Sequence, residues 1–97
     1  MVKVLIKRET KKETEVKVHD SLVALRAAAM RVPGYVSGET LVNTSDPREI
    51  LVISTWLSLK QWKAWQESKQ RMELDDALRP FVSKEQVSTY YIAAREE

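Results

Sequence analysis

Apolar side chains at the start of the chain recur at every second position, namely at Val2, Val4 and Ile6. A period of two predicts a β-strand with these side chains on one face. Leu5 gives the opposite face some apolar character as well. The polar run at residues 9–14 then predicts a loop, because it shows no apolar period.

A helical period follows and predicts a helix over about residues 15–31. Its apolar face consists of two neighbouring stripes: Val18, Leu22, Leu25 and Ala29, then Val23, Ala27 and Met30. The pair Pro33-Gly34 is predicted to end the helix. An alternative pairs residues 13–18 with the first strand as a hairpin, because residues alternate there too. The helix is preferred, since the run at residues 27–30 needs a long helix to complete it.

Two further strands are predicted on either side of a turn. Residues 35–42 and 49–56 have strand-like patterns, and residues 43–48 between them are dense in turn formers. The short connection predicts an antiparallel hairpin. Residues 50–53 are Ile-Leu-Val-Ile, so the second of these strands is apolar on both faces.

The second helical region begins at a predicted capping box, in which Ser58 and Gln61 satisfy free amides at a helix start. Apolar residues then recur at a spacing of three, and they are Leu59, Trp62 and Trp65. Ser68 interrupts the pattern, and a further helical segment is predicted to end near Pro80. Residues 86–94 predict a last strand with apolar side chains on both faces.

The predicted order β-α-β-β-α-β is that of the α+β, ferredoxin-like arrangement. It has a four-stranded antiparallel sheet with the helices on one face. The open face of a monomer should be polar, whereas three of the predicted strands are apolar on both faces. A second copy of the same face is the simplest cover, so we expect a homodimer. The chain, residues 1–97, is expected to form one domain.

Composition excludes several classes of function. The chain has no cysteine, which excludes disulfides, thiolate metal sites and cysteine nucleophiles. A single histidine, His19, excludes a multi-histidine metal site, and two glycines do not make a phosphate-binding loop. A net charge of +2 gives no reason to expect nucleic acid as a partner. No membrane span and no signal peptide are evident, so a cytoplasmic location is expected.

Residues 25–39 contain a Pro-Gly-Tyr turn after the first helix, and Trp56 and Trp65 join the third strand to the second helical region. With residues 51–56 and 58–65, in this order and spacing, they resemble the antibiotic biosynthesis monooxygenase family. The resemblance implies a dimeric α+β barrel, in which two ferredoxin-like subunits join through their sheets. It also implies kinship with cofactor-free oxygenases of polycyclic phenols, with haem-degrading enzymes, and with members of no known activity.

The haem-degrading branch is matched only in part. That branch has a tryptophan that falls on Trp65, an asparagine on strand one, and a histidine ten residues after the tryptophan. Ile6 and Lys7 stand where the asparagine would fall, and Asp75 stands where the histidine would fall. A carboxylate is a poor substitute for an axial imidazole. We therefore expect no cofactor, with haem as the disfavoured alternative.

Candidate site residues follow from the cofactor-free branch, in which the protein supplies a dry aromatic pocket. The catalytic candidates are Trp65 and His19, a side chain that titrates near neutral pH and could act as general base. Substrate contacts are expected from Trp62, Trp65, Tyr35 and Met72, in a pocket under the second helix. The plainer interpretation is that the tryptophans, the tyrosine and the methionine are core residues and that His19 faces water.

Three functions remain open on the sequence. The first is a small cofactor-independent monooxygenase that acts on an aromatic or phenolic molecule. The second is a non-catalytic homodimer of the same fold that binds a small ligand or has a structural role. The third is an RNA-binding ferredoxin-like domain, which needs aromatic and basic residues on the open sheet face. Residues 50–53 are aliphatic instead, which disfavours RNA.

Overall fold

A computed structural model describes residues 1–94 of the chain. The elements follow the predicted order, and the second helical region consists of two helices that separate near Ser68, as predicted, and a 3₁₀ turn that was not predicted. They are β1 (Val2–Thr10), α1 (Glu15–Ala29), β2 (Tyr35–Val42), β3 (Glu49–Trp56), α2 (Leu59–Gln66), α3 (Lys69–Leu78), the 3₁₀ turn Arg79–Phe81, and β4 (Val82–Tyr91). No helix in this part of the chain is long and apolar enough to cross a membrane.

The four strands form one antiparallel sheet in the order β2-β3-β1-β4, which is the ferredoxin-like topology. β1 is one of the two central strands, and its register places Val2 opposite Trp56 of β3 and Tyr91 of β4. Even-numbered side chains of β1 are buried in the core with side chains of the helices, as the period of two predicts. The prediction of an α+β, ferredoxin-like fold is confirmed.

Helix α1 packs on the sheet through one apolar stripe, which includes the buried Val18 and Leu25. The second predicted stripe lies on the surface, where Val23 is 54% and Met30 is 62% exposed. The prediction of a broad apolar face is therefore wrong, because residue 23 lies about 140° around the helix axis from residue 18. The alternative hairpin does not form, since residues 15–18 are the first turn of α1.

Two serine caps begin α2 and α3. Ser58 Oγ accepts a hydrogen bond from the backbone N–H of Gln61 (3.2 Å), which confirms the serine part of the predicted capping box. The Gln61 part is wrong, because Gln61 Oε1 accepts from the Ser58 hydroxyl (3.0 Å) instead of a backbone amide. Ser68 Oγ accepts from the backbone N–H of Arg71 (3.1 Å) and donates to the carbonyl of Trp65 (2.8 Å). The serine that interrupts the apolar pattern therefore links the last turn of α2 to the first turn of α3.

The last strand begins earlier than predicted. The sequence pattern predicts residues 86–94, whereas β4 spans Val82–Tyr91. Its first residues pair with the end of β1, where Thr10 lies opposite Val82 and Glu9 opposite Lys84. This part of the edge strand is exposed, so residues 83–86 are polar on both faces and lack the alternation that would reveal a strand.

The face of the sheet opposite the helices has an apolar centre. Leu5, Leu51 and Ile53 are neighbours in the register of β1 and β3, and all three are half-buried. Leu41 of β2 and Tyr90 of β4 are exposed and extend the apolar area toward both edges. That a second copy covers this open face stays a prediction.

Replacement of Ser68 by alanine removes both hydrogen bonds of its hydroxyl. We expect Ser68→Ala to lower the free energy of unfolding by about 1 kcal/mol, the usual cost of losing a helix cap. The matched control is Ser45→Ala in the β2–β3 turn, where Ser45 bonds through its backbone N–H. Urea denaturation followed by circular dichroism measures both variants. An equal loss of stability in the two would contradict the capping role.

Candidate functional site

A cavity of about 70 Å³ lies between the sheet and the helices. Its walls come from β1, β2 and β3 on one side and from α1, α2 and α3 on the other. Aliphatic side chains form much of the lining, namely Ile6, Leu22, Leu25, Ala29 and Val52. The cavity is therefore formed by strands and helices rather than by loops, and part of it is open to solvent.

Four aromatic side chains line this cavity. The rings of Tyr35 and Trp56 meet edge to face, with centroids 5.4 Å apart, and the rings of Trp56 and Trp62 are 5.7 Å apart. Both distances are typical of favourable aromatic pairs. Trp56 Nε1 donates to Ser54 Oγ (3.1 Å), so this buried N–H is satisfied. Trp65 is also buried and lines the cavity.

Local sequence rules explain how these rings reach the cavity. Trp62 and Trp65 are three residues apart on α2, so both side chains lie on the face that contacts the sheet. Gly34 has φ of +96°, a conformation that glycine adopts without strain. The turn at Gly34 leads directly into β2 and places Tyr35 at its first position, opposite Trp56.

Two of the three arginines that line the cavity have polar partners. Arg8 of β1 is 2% exposed, and its Nε lies 3.2 Å from Glu85 Oε2 of β4. Its Nη2 lies 3.8 Å from Asp75 Oδ1 of α3. Arg26 of α1 is exposed, and its Nη2 donates to the carbonyl of Gly38 on β2 (3.0 Å). The Arg26 bond thus connects α1 with β2 at an exposed part of the lining.

The third arginine, Arg71 of α3, is 6% exposed, and its guanidinium lies 5.2 Å from the centre of the Trp62 ring. Within residues 1–94, no carboxylate oxygen lies within 4 Å of that guanidinium. Burial lowers the pKa of Arg71 below its usual value; Asp75 and Glu85 oppose this effect and Arg8 adds to it. An arginine starts from so high a pKa that the group remains a cation at neutral pH.

The structure brings some of the predicted site residues together and leaves others outside. Tyr35, Trp62 and Trp65 line the cavity, whereas His19 and Met72 do not. The side chain of His19 is 76% exposed and lies beside Asp20, and Met72 is 57% exposed. His19 directly follows the buried Val18, and Met72 directly follows the buried Arg71. Successive residues lie about 100° apart around a helix axis, so each side chain points away from the buried face. His19 is therefore not placed to act as a base in this cavity.

Sequence reasoning missed Arg8 and Arg71. The signal for Arg8 was present, because it continues the period of two that starts at Val2 and therefore faces the core. Arg71 lies seven residues before the buried Leu78, a spacing that places both on one helix face. A charged residue on a helix faces water in most proteins, so this spacing alone is a weak signal.

The residues do not fit a haem held as in the haem-degrading branch. Asp75, at the position of the axial histidine, lies 3.3 Å from Arg79 Nη2 and 3.8 Å from Arg8 Nη2. His19 lies outside the cavity. Within residues 1–94, no group of three or more His, Cys, Asp or Glu side chains is placed to hold a metal ion.

Comparison with known proteins identifies the family of this chain. Residues 1–74 match the sequence model of the antibiotic biosynthesis monooxygenase family. The chain belongs to this family. The resemblance seen in the sequence is thereby confirmed. Protein SchA from Streptomyces halstedii is 26% identical over 81 residues, or 84% of this chain, and the chain spans 21% of the length of that relative.

Solved structures of the family share the fold across nearly the whole chain. A Deinococcus radiodurans protein assigned to the antibiotic biosynthesis monooxygenases has a TM-score of 0.91 at 17% identity, covering 100% of this chain and 97% of its own. SnoaB from Streptomyces nogalater, a cofactor-independent oxygenase, has a TM-score of 0.84 at 16% identity, covering 99% and 95%. At these identities the likeness establishes the fold.

The close approach of Tyr35 to Gly38 gives a test of the cavity wall. A Cβ on Gly38 would lie 2.5 Å from the Tyr35 hydroxyl and 3.5 Å from the ring carbon that carries it. We expect Gly38→Ala to lower the free energy of unfolding by about 1–3 kcal/mol, as overpacking does. In a Tyr35→Phe background the same change should cost less by about 1 kcal/mol, since the hydroxyl is gone.

A double-mutant cycle measured by thermal and urea unfolding gives this coupling. Tyr35→Phe alone supplies the reference for the lost hydroxyl. If Gly38→Ala costs the same in both backgrounds, the Tyr35 hydroxyl does not lie over Gly38, and the described cavity wall is wrong.

Proposed function

We propose that the protein is a cofactor-independent monooxygenase whose substrate is a flat phenolic molecule bound in the cavity under α2. The observation that carries the proposal is that buried indoles and the arginines Arg8 and Arg71 line one cavity, with the Arg71 guanidinium over the Trp62 ring. Indole rings stack on a flat ring, and a cation stabilises an ionised oxygen. Membership of the family, and the fold shared with an oxygenase such as SnoaB, support the same reaction type.

Such a reaction needs few groups from the protein if the substrate supplies the electrons. An ionised phenol conjugated with a CH₂ group can react with O₂ directly. One oxygen atom replaces the two hydrogens to form a carbonyl, and the other leaves as water, so no external reductant enters the balance. The side chains hold the ring, exclude water and keep the substrate oxygen ionised. Tyr35 and Glu39 are lining residues that can exchange a proton.

Substrate binding requires the cavity to widen. Its volume of about 70 Å³ is well below the roughly 300–1,000 Å³ of typical ligand sites. The hydrogen bond from Arg26 to the Gly38 carbonyl crosses the lining where it is exposed. Release of this bond would let α1 and β2 separate at that point, and the bond would re-form over a bound ring.

Oxygen uptake tests the proposed reaction. Purified protein with EDTA, incubated in air with an anthrone-type phenol, should consume one O₂ for each carbonyl formed, measured by an oxygen electrode and mass spectrometry. We expect Trp65→Leu to lower kcat/KM about tenfold, because one stacked ring is worth on the order of 1.4 kcal/mol. Trp65→Phe keeps a ring and should lose less.

The control for this assay is Met30→Leu, a surface change on α1 that should leave kcat/KM as in the wild type. Circular dichroism checks that each variant is folded. The proposed reaction is wrong if a panel of flat phenols with an activated CH₂ group gives no uptake above the rate without protein.

A second candidate function is non-catalytic binding of a small ligand by the same cavity. One observation favours it: His19, the candidate general base, lies outside the lining. Stoichiometric binding of aromatic molecules, seen as quenching of tryptophan fluorescence without any oxygen uptake, would support this function over catalysis.

We also propose that the protein is a homodimer through the open face of the sheet. Leu5, Leu51 and Ile53 form the centre of that face, with Leu41 and Tyr90 toward its edges. Shared burial of these side chains would stabilise a short chain with a small core. This arrangement is the dimeric barrel that the family resemblance implies.

Solution mass tests the dimer. Light scattering after size exclusion should give twice the chain mass of 11.2 kDa. We expect Leu51→Glu to give the single-chain mass, because two charges would face each other across an apolar interface. The matched control, Val23→Glu on the outer face of α1, should keep the double mass, since Val23 is on the other side of the molecule from the open face. A wild-type protein of single-chain mass would rule the dimer out.

A further inference from the structure

The three arginines of the cavity differ in how their charge is balanced. Arg8 is buried, but Glu85 and Asp75 lie beside its guanidinium. Arg26 is exposed, so water screens its charge, and it donates to a backbone carbonyl. Arg71 is buried with no carboxylate within 4 Å among residues 1–94. Arg71 is therefore the buried lining arginine that has no carboxylate within 4 Å in the described part of the chain.

A buried cation without a partner is unfavourable. The ring of Trp62, 5.2 Å from the guanidinium, offsets part of that cost. In residues 1–94, every fully buried side-chain nitrogen or oxygen has a hydrogen-bond partner. The guanidinium of Arg71 has no such partner in this part of the chain, so its N–H groups keep access to open space. Arg71 lines the cavity, so the cavity is the open space beside this side chain to which we assign these N–H groups.

We propose that Arg71 is the residue that recognises the anionic end of the ligand. It would bind an ionised oxygen, a phenolate or a carboxylate on a flat aromatic ring, through the paired N–H groups of its guanidinium. The ring would stack near Trp62 and Trp65, so the charged end points inward. This inference rests on the proposed function only in taking the ligand to be aromatic.

The other charged groups around the cavity support an anion at its buried end. Arg8 adds positive charge from β1, and Asp75 and Glu85, which pair with it from α3 and β4, are partly compensated by that pairing. Glu39 on β2 is a lining carboxylate but is exposed, so water screens it. Arg26 on α1 is likewise at an exposed part of the lining.

The ionisation of a bound nitrophenol tests the proposal directly. The phenolate of 4-nitrophenol absorbs at longer wavelength than the phenol, so a pH titration of absorbance reports the pKa of the bound probe. With the wild-type protein we expect that pKa to fall by about one pH unit relative to the free probe, a tenfold preference for the phenolate. Arg71→Met should remove the preference, and Arg71→Lys should retain part of it.

The matched control is Arg31→Met, the same substitution at an exposed arginine just after α1, which should leave the probe pKa as in the wild type. A purely packing role for Arg71 predicts weaker binding but the same probe pKa in Arg71→Met. That result would overturn the proposal, as would a wild-type protein that does not bind the probe or that raises its pKa. If Arg71→Met fails to fold, Arg71→Gln, which keeps polar N–H groups but removes the charge, takes its place: loss of the lowered probe pKa supports the proposal, and an unchanged probe pKa overturns it.

The nitrophenol titration and the oxygen assay test different claims, so either one can fail while the other succeeds. A lowered probe pKa without oxygen uptake would keep the anion site and reject the oxygenase. Oxygen uptake with an unchanged probe pKa would keep the oxygenase and reject Arg71 as its anion-recognising residue.

Discussion

The pairing of one buried charge links α3 and β4 to the core-facing side of β1. Arg8 occupies a core-facing position on the central strand, and Glu85 and Asp75 reach it from β4 and α3. A buried guanidinium that loses such partners is strongly destabilising, by roughly 3–5 kcal/mol in measured cases. The ion pairs therefore tie the helix that carries Arg71 to the middle of the sheet. The position of Arg71 over the Trp62 ring depends on that connection.

Much of the fold could be predicted because its strands and helices bury one side. The bounds of β2 and β3 were predicted correctly, because the residues between them are turn formers that are uncommon inside strands. The start of β4 was missed because an exposed edge strand needs no apolar residue at residues 83–86. Periodicity therefore reveals the segments that have one face in the core and the other in solvent.

The candidate site was less predictable than the fold. Trp62 and Trp65 were found because large aromatic residues are rare and their spacing shows one face. His19 and Met72 were chosen for their chemistry, yet each lies one position away from the buried face of its helix. Arg71 was passed over because its chemistry is ordinary on a helix surface. Arg71 lies over Trp62 because α3 packs against α2, and the sequence pattern of a single helix does not show such a contact.

The hydroxyl of Ser68 joins the carbonyl of Trp65 to the amide of Arg71, so the aromatic and cationic parts of the site share one short stretch of backbone. Insertion or deletion of a single residue between the Ser68 cap and Arg71 would turn Arg71 by about 100° around the axis of α3. The guanidinium would then leave the Trp62 ring and face solvent. Substitutions along residues 65–71 can adjust the site, but the number of residues in this stretch is fixed by geometry.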